Sequence, residues 1–289
     1  MCDSDNHQGY IVDTSFSRRS VVLTISSAAA VAGLPTAAWA TPNVTETDVM
    51  VPTPDGSADA VLFHPSGSGS WPAVLMWPDI LGLRPVFRDM GRRLAAEGYT
   101  VLVPNPFYRT KRAPIVTGSF DFNDPKQRES VMSLRSTLTD AGIDKDAAAY
   151  VNFLDQQKQT NRRKGAGVQG YCFSGPFAFH TAAVRSDRVR AVGSFHGGGL
   201  VTKDDNSPHL LIPKTKASFV VAIARNDDQK QPDAKDVLKA AFATAKRPAT
   251  VEVYPADHGW CVAGSQSYDQ ASSERAWSEL LRLYRSNLV

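Results

Sequence analysis

The hexapeptide Gly170-Tyr171-Cys172-Phe173-Ser174-Gly175 restricts the fold more than any other stretch of this chain. The run before it, residues 165–169, reads as a short strand, and the run after it, residues 176–183, reads as a helix of small and apolar residues. A strand that passes straight into a helix forces the turn residue into a strained backbone region, and small neighbours at Gly170, Ser174 and Gly175 let the two elements approach. This is the context of a nucleophile elbow, with Cys172 at the apex in place of serine. The first backbone N–H of the helix, at Phe173, then points at an oxyanion developing on a bound carbonyl. A buried cysteine at an ordinary strand end has the same local sequence, so the assignment depends on what the other strand ends carry.

A chain of 289 residues holds one large α/β domain or two small ones. Residues 1–40 read as a leader outside the fold. Ser17-Arg18-Arg19-Ser20 precedes an uncharged, Ala-rich and Val-rich run to Leu34, and Ala38-Trp39-Ala40 supplies a small-x-small cleavage pattern. The paired arginines predict a twin-arginine signal peptide cleaved after Ala40, with the twin-arginine export machinery as a partner and the periplasm of a bacterium as the destination. The apolar run is too short and too rich in Ser, Ala and Gly to span a bilayer, so no stable membrane insertion is expected after processing. Residues 41–289 keep 30 basic and 26 acidic side chains, a mild excess scattered along the chain with no aromatic-interleaved basic stripe, which argues against a nucleic-acid partner. Cys172 and Cys261 make no disulfide framework, and folding in a reducing cytoplasm before export keeps both as thiols.

From about residue 45 onward, apolar runs alternate with helical patterns, which predicts a single α/β domain over residues 41–289 with a mainly parallel central sheet and helices on both faces. Residues 48–51 and 58–63 flank Pro54-Asp55-Gly56 and read as an N-terminal antiparallel hairpin. Strands are expected at 73–77, 99–103, 165–169, 189–195, 217–224 and 250–254. Helices are expected at 85–97, 124–141, 144–157, 176–183, 233–245 and 272–287, and residues 109–125 read as irregular. His196 is followed by a glycine run, residues 197–199, that leaves room for a ligand or for close backbone approach.

In an open parallel sheet, chemistry collects at the carboxyl ends of the strands. Cys172, Asp227 and His258 each follow a strand by a short loop. Their order is that of the α/β-hydrolase fold and differs from that of the chymotrypsin and subtilisin groups. In that arrangement His258 takes the proton of Cys172, and Asp227 fixes the imidazole tautomer and stabilises the imidazolium. Taken singly, Asp227 reads equally as a helix cap and His258 as a solvated loop histidine; together and in order they read as a catalytic set.

Gly-Tyr-Cys-x-x-Gly at 170–175, Ala-x-Asn-Asp at 224–227 and His-Gly-aromatic at 258–260 resemble the dienelactone hydrolase family of α/β-hydrolases, over about residues 45–289. The resemblance implies a Cys-Asp-His triad that opens dienelactone rings through a thioester acyl-enzyme, with a small-molecule lactone or ester as substrate and with neither metal nor cofactor. It places Asp227 in the triad, with Asp228 as the alternative. Where the family usually carries Gln-Glu-Ile-Phe-Gly, this chain has Trp77-Pro78-Asp79-Ile80-Leu81-Gly82. By the resemblance, Asp79 holds the resting thiol protonated and the N–H of Ile80 completes the oxyanion hole with Phe173, although aspartate is one methylene shorter than the family's glutamate.

Arg109 matches an arginine that binds the substrate carboxylate, a task that suits a bidentate guanidinium. A second family arginine, four residues past the histidine, is Val262 here, a departure from the pattern for simple dienelactone. His196 reads as pocket-lining or as a packed histidine, and Trp260 and Phe173 as an apolar wall for a flat conjugated ring. Two other readings remain open. One is an exported carboxylesterase of different specificity; the other is a catalytically silent fold that binds a partner or senses redox state through Cys172.

Overall fold

The computed structural model describes residues 11–15 and 43–288. Its centre is an eight-stranded sheet in the order β10-β9-β8-β7-β4-β5-β3-β2. Strands β4 (Ala73–Trp77), β5 (Thr100–Pro104), β7 (Ala166–Tyr171), β8 (Val189–Phe195), β9 (Ser218–Ala224) and β10 (Ala249–Tyr254) run parallel to one another. β4, β5 and β7 are buried along their whole length, and β8 and β9 but for one residue each, because helices cover both faces; the edge strand β10 is half-exposed. The hairpin of β2 (Val44–Thr53) and β3 (Gly56–Pro65) closes one edge, antiparallel throughout, and turns at Gly56 with φ +141°, where a side chain would be strained.

Each face carries its own core. On one side α1 (Pro85–Ala96) and α8 (Gln270–Asn287) bury Phe87, Leu94, Leu280 and Tyr284. On the other, α3 (Asp140–Gln156), α4 (Gly175–Val184) and α7 (Ala234–Thr244) bury Tyr150, Phe177 and Phe242. The α1 pattern is amphipathic with proline in its first turn, and Gly98 at φ +94° ends it. Two short helices, α5 (Pro208–Leu211) and α6 (Arg225–Lys230), sit in loops. No helix among the described residues is long and apolar enough to cross a membrane.

Three features differ from the pattern-based expectation. The stretch 124–141 is not one helix: α2 (Pro125–Ser136) ends early, and Thr139 opens α3 by accepting the Gly142 N–H at 3.1 Å, so α3 begins at Asp140. Asp227 lies in α6, which starts directly after β9. The run 109–125 contains a strand, β6 (Ser119–Asp121), which pairs with β1 (Ile11–Asp13). Residues 11–15, expected to lie in the leader outside the fold, thus belong to the folded body, and strands of three residues carry too little period to be read. The other residues of the expected leader, 1–10 and 16–40, lie outside the described residues.

Candidate active site

Cys172 begins a single 3₁₀ turn between β7 and α4, with φ +59°. That left-handed backbone is strained for a non-glycine residue, and its surroundings hold it there. The Ser174 hydroxyl accepts the Tyr171 N–H at 2.9 Å and shares its hydrogen between the carbonyls of Tyr171 and Trp77, at 2.9 and 3.1 Å, which staples the elbow to the neighbouring β4. A Cβ on Gly170 would overlap the Ser174 carbonyl, and one on Gly175 would come within 2.6 Å of the Gly197 Cα. The glycine after His196 therefore serves close backbone approach to the elbow helix.

The ends of β9 and β10 are joined residue by residue. The Arg225 N–H donates to the Ala256 carbonyl at 2.9 Å, the His258 N–H donates to Asn226 Oδ1 at 2.8 Å, and His258 Nδ1 lies 2.7 Å from Asp227 Oδ2. Asn226, named in the sequence only as part of a motif, thus positions the histidine loop. Asp228 turns away and pairs with Lys235 at 2.8 Å, so of the two acids it is Asp227 that meets the imidazole. An ionised carboxylate there fixes the proton on Nδ1 and leaves Nε2 as the basic nitrogen. Between β9 and the elbow strand β7, at the tip of β8, His196 (φ +39°) packs its ring edge-on to that of His258 at 4.8 Å and lies 6.1 Å from Trp260.

On the β4 side, Asp79 is gripped by a residue that sequence reading passed over. Arg84, whose side chain is fully buried, binds Asp79 through two parallel hydrogen bonds of 2.5 and 2.8 Å, and Asp79 Oδ1 also accepts the Leu81 N–H at 3.0 Å. This clamp shapes the loop that carries Ile80, buried at the same sheet edge. Phe173 stacks on Phe107 at 5.7 Å and meets Phe177 edge-on at 5.0 Å, forming an aromatic wall.

Arg109 does not join this group through its charge. Its guanidinium forms two hydrogen bonds to Asp146, at 2.7 and 2.8 Å, and a third to Asp55 at 2.8 Å, while Tyr108 donates to Asp146 at 2.8 Å. Burial pushes the Asp146 carboxyl up, against the pull of Arg109, and pushes the Tyr108 hydroxyl up to about 12.

The centre is closed: Cys172 is 3% and His258 2% exposed. A cavity of about 570 Å³ lies behind it, between α1 and α8, and is lined by Tyr171, Phe195 and Cys261, each a near neighbour in sequence of a site residue. Burial pushes the Cys261 thiol well up, which keeps it protonated and makes it a poor nucleophile.

A mostly parallel sheet with a positive-φ elbow residue after β7, an acid after β9 and a histidine after β10 defines an α/β-hydrolase. The dienelactone hydrolase family matches residues 58–288, and the chain belongs to that family. It is similar to carboxymethylenebutenolidase 1 of Cupriavidus pinatubonensis, with 27% identity over 79% of this chain and 91% of the relative. It is also similar to carboxymethylenebutenolidase of Rhodococcus opacus, with 27% identity over 70% of this chain and 75% of the relative. Among solved structures, dienelactone hydrolase from Anabaena variabilis superposes with a TM-score of 0.60 at 17% identity, over 85% of this chain and 99% of that one. A dienelactone hydrolase-like promiscuous phosphotriesterase from metagenomic libraries gives 0.69 at 18% identity, over 85% and 99%. At such identities these structures speak for the fold alone.

Proposed function

We propose that this hydrolase opens a lactone or activated ester through a thioester on Cys172. The observation that carries the reading is the Asp227–His258 pair, set at the same sheet edge as a cysteine held at positive φ. The names of the relatives, carboxymethylenebutenolidases, support a lactone as the substrate class.

In this mechanism His258 Nε2 takes the Cys172 proton and the sulfur attacks the carbonyl carbon. The N–H groups of Ile80 and Phe173 hold the resulting oxyanion. The bond to the ring oxygen breaks as the carbonyl re-forms, and that oxygen leaves as an enolate and is protonated by the imidazolium. Water, deprotonated by His258, then attacks the thioester, and the thiolate departs and recovers its proton. Asp227 stays ionised throughout and stabilises the imidazolium. Thiols suit activated esters and lactones better than amides, so peptide bonds are a poorer substrate.

The site for this work is the periplasm, a reading supported by Arg18-Arg19, the apolar run to Leu34 and Ala38-Trp39-Ala40. The test is turnover of dienelactone and of p-nitrophenyl acetate by Cys172→Ala. Loss of both activities, by about a thousandfold or more, supports the thiol mechanism; retained activity refutes it.

A further inference from the structure

We propose that residues 11–15 are a latch on the active site: the groove they fill accepts an extended segment of this same chain, and its occupancy keeps the site shut. The proposal rests on the reading of Cys172 and His258 as the active site.

β1 is gripped from both sides. On one, Ile11–Asp13 pairs with Asp121–Ser119, the Thr14 N–H donates to the Gly118 carbonyl at 3.0 Å, and the Thr14 hydroxyl bonds the same carbonyl. On the other, the Asp13 N–H donates to the Gly264 carbonyl at 3.0 Å, the Gln266 N–H donates to the Ile11 carbonyl at 2.9 Å, and Val12 bridges to Ser265. Val12 is fully buried and belongs to the same apolar cluster as Ile80, Phe107, Phe120 and Phe173. Main-chain bonds along both edges of a strand, with one pocket for a β-branched side chain, are the chemistry of strand addition.

Both runs that β1 joins are walls of the site. The run that ends in β6 carries Phe107, stacked on Phe173, and Ile115, which crowds Gly82 so closely that a Cβ there would lie 3.3 Å from it. The run that reaches Gly264 starts at His258. With both reacting side chains almost without exposure, an ester reaches the sulfur only if a wall moves. β1 ties the two walls together, and it pairs with no strand of the eight-stranded sheet, so its release leaves that sheet intact. Residues 11–15 also precede Ala40, so removal of the proposed leader takes the latch with it. The enzyme is then shut before processing and open after it.

The test uses the full chain carrying Val12→Asp, which places a carboxylate in a dry apolar pocket and expels the strand. Alkylation of Cys172 by iodoacetamide, followed on its own peptide by mass spectrometry, is expected to accelerate by about tenfold or more, together with faster amide exchange at Gln266. A synthetic peptide of residues 9–16 slows the variant again, and the same peptide with aspartate at position 12 does not. Alkylation at the parental rate despite released amides overturns the latch. If Val12→Asp fails to fold, Asp13→Pro, which removes the N–H bonded to Gly264, makes the same comparison; if both fail to fold, β1 is structural and the latch is overturned. Faster alkylation without ester turnover in either chain leaves the latch standing and refutes the hydrolase mechanism instead.

Discussion

Arg84 and Asp79 form a buried, doubly hydrogen-bonded ion pair at the loop that carries Ile80, and its energetics are asymmetric. Removing the cation alone strands a carboxylate away from water. Arg84→Met is therefore expected to lower stability by about 3–5 kcal/mol in urea unfolding, and the double variant Asp79→Leu/Arg84→Met to recover most of that loss. Arg109 poses a different question, because its guanidinium already serves Asp146 and Asp55. Arg109→Ala is expected to destabilise the chain while changing KM equally for carboxylated and neutral lactones; a selective rise for the carboxylated substrate restores Arg109 to substrate binding. The family resemblance singled out Asp79 and Arg109 by their positions, and the structure places the first against Arg84 and the second against Asp55 and Asp146. Sequence reading missed Arg84 because an arginine at a helix start reads as solvated, and its complete burial is a fact of three-dimensional packing.

The elbow shows how an element positions chemistry. Its strain is held by Ser174, whose hydroxyl satisfies the Tyr171 N–H and ties β7 to β4. Ser174→Ala leaves that N–H buried without its acceptor, and a loss of about 1–3 kcal/mol in thermal or urea unfolding is expected. A larger proportional loss in kcat than in KM is also expected, since the Cys172 backbone relaxes. An unchanged protein on both counts excludes the staple. Strands β4, β5, β8 and β9 were legible because burial on both faces makes them nearly unbroken apolar runs, whereas the half-exposed β10 was legible from its alternating β-branched residues. The break between α2 and α3 was hidden by continuous helical patterning, and β1 and β6 by their length; their pairing joins segments about a hundred residues apart, a contact no local pattern encodes.

The whole molecule explains how residues as distant as 172, 227 and 258 come to one edge of the sheet. Parallel strands bring their carboxyl ends to one edge, so the order of β7, β8, β9 and β10 across the sheet lines up Cys172, His196, Asp227 and His258 without any long-range motif. That convergence was readable from chain order; the pairing of β1 with β6 and the stacking of Phe107 on Phe173 were not, because they depend on segments that meet only in the folded chain. The central claim is that a sulfur carries the acyl group. Rapid acid quench of the protein during turnover of p-nitrophenyl acetate, followed by peptide mass spectrometry, tests it directly. The account predicts an acetyl adduct on the peptide containing Cys172, formed and lost at rates that match turnover; turnover with the acetyl group on another residue, or with none, contradicts it.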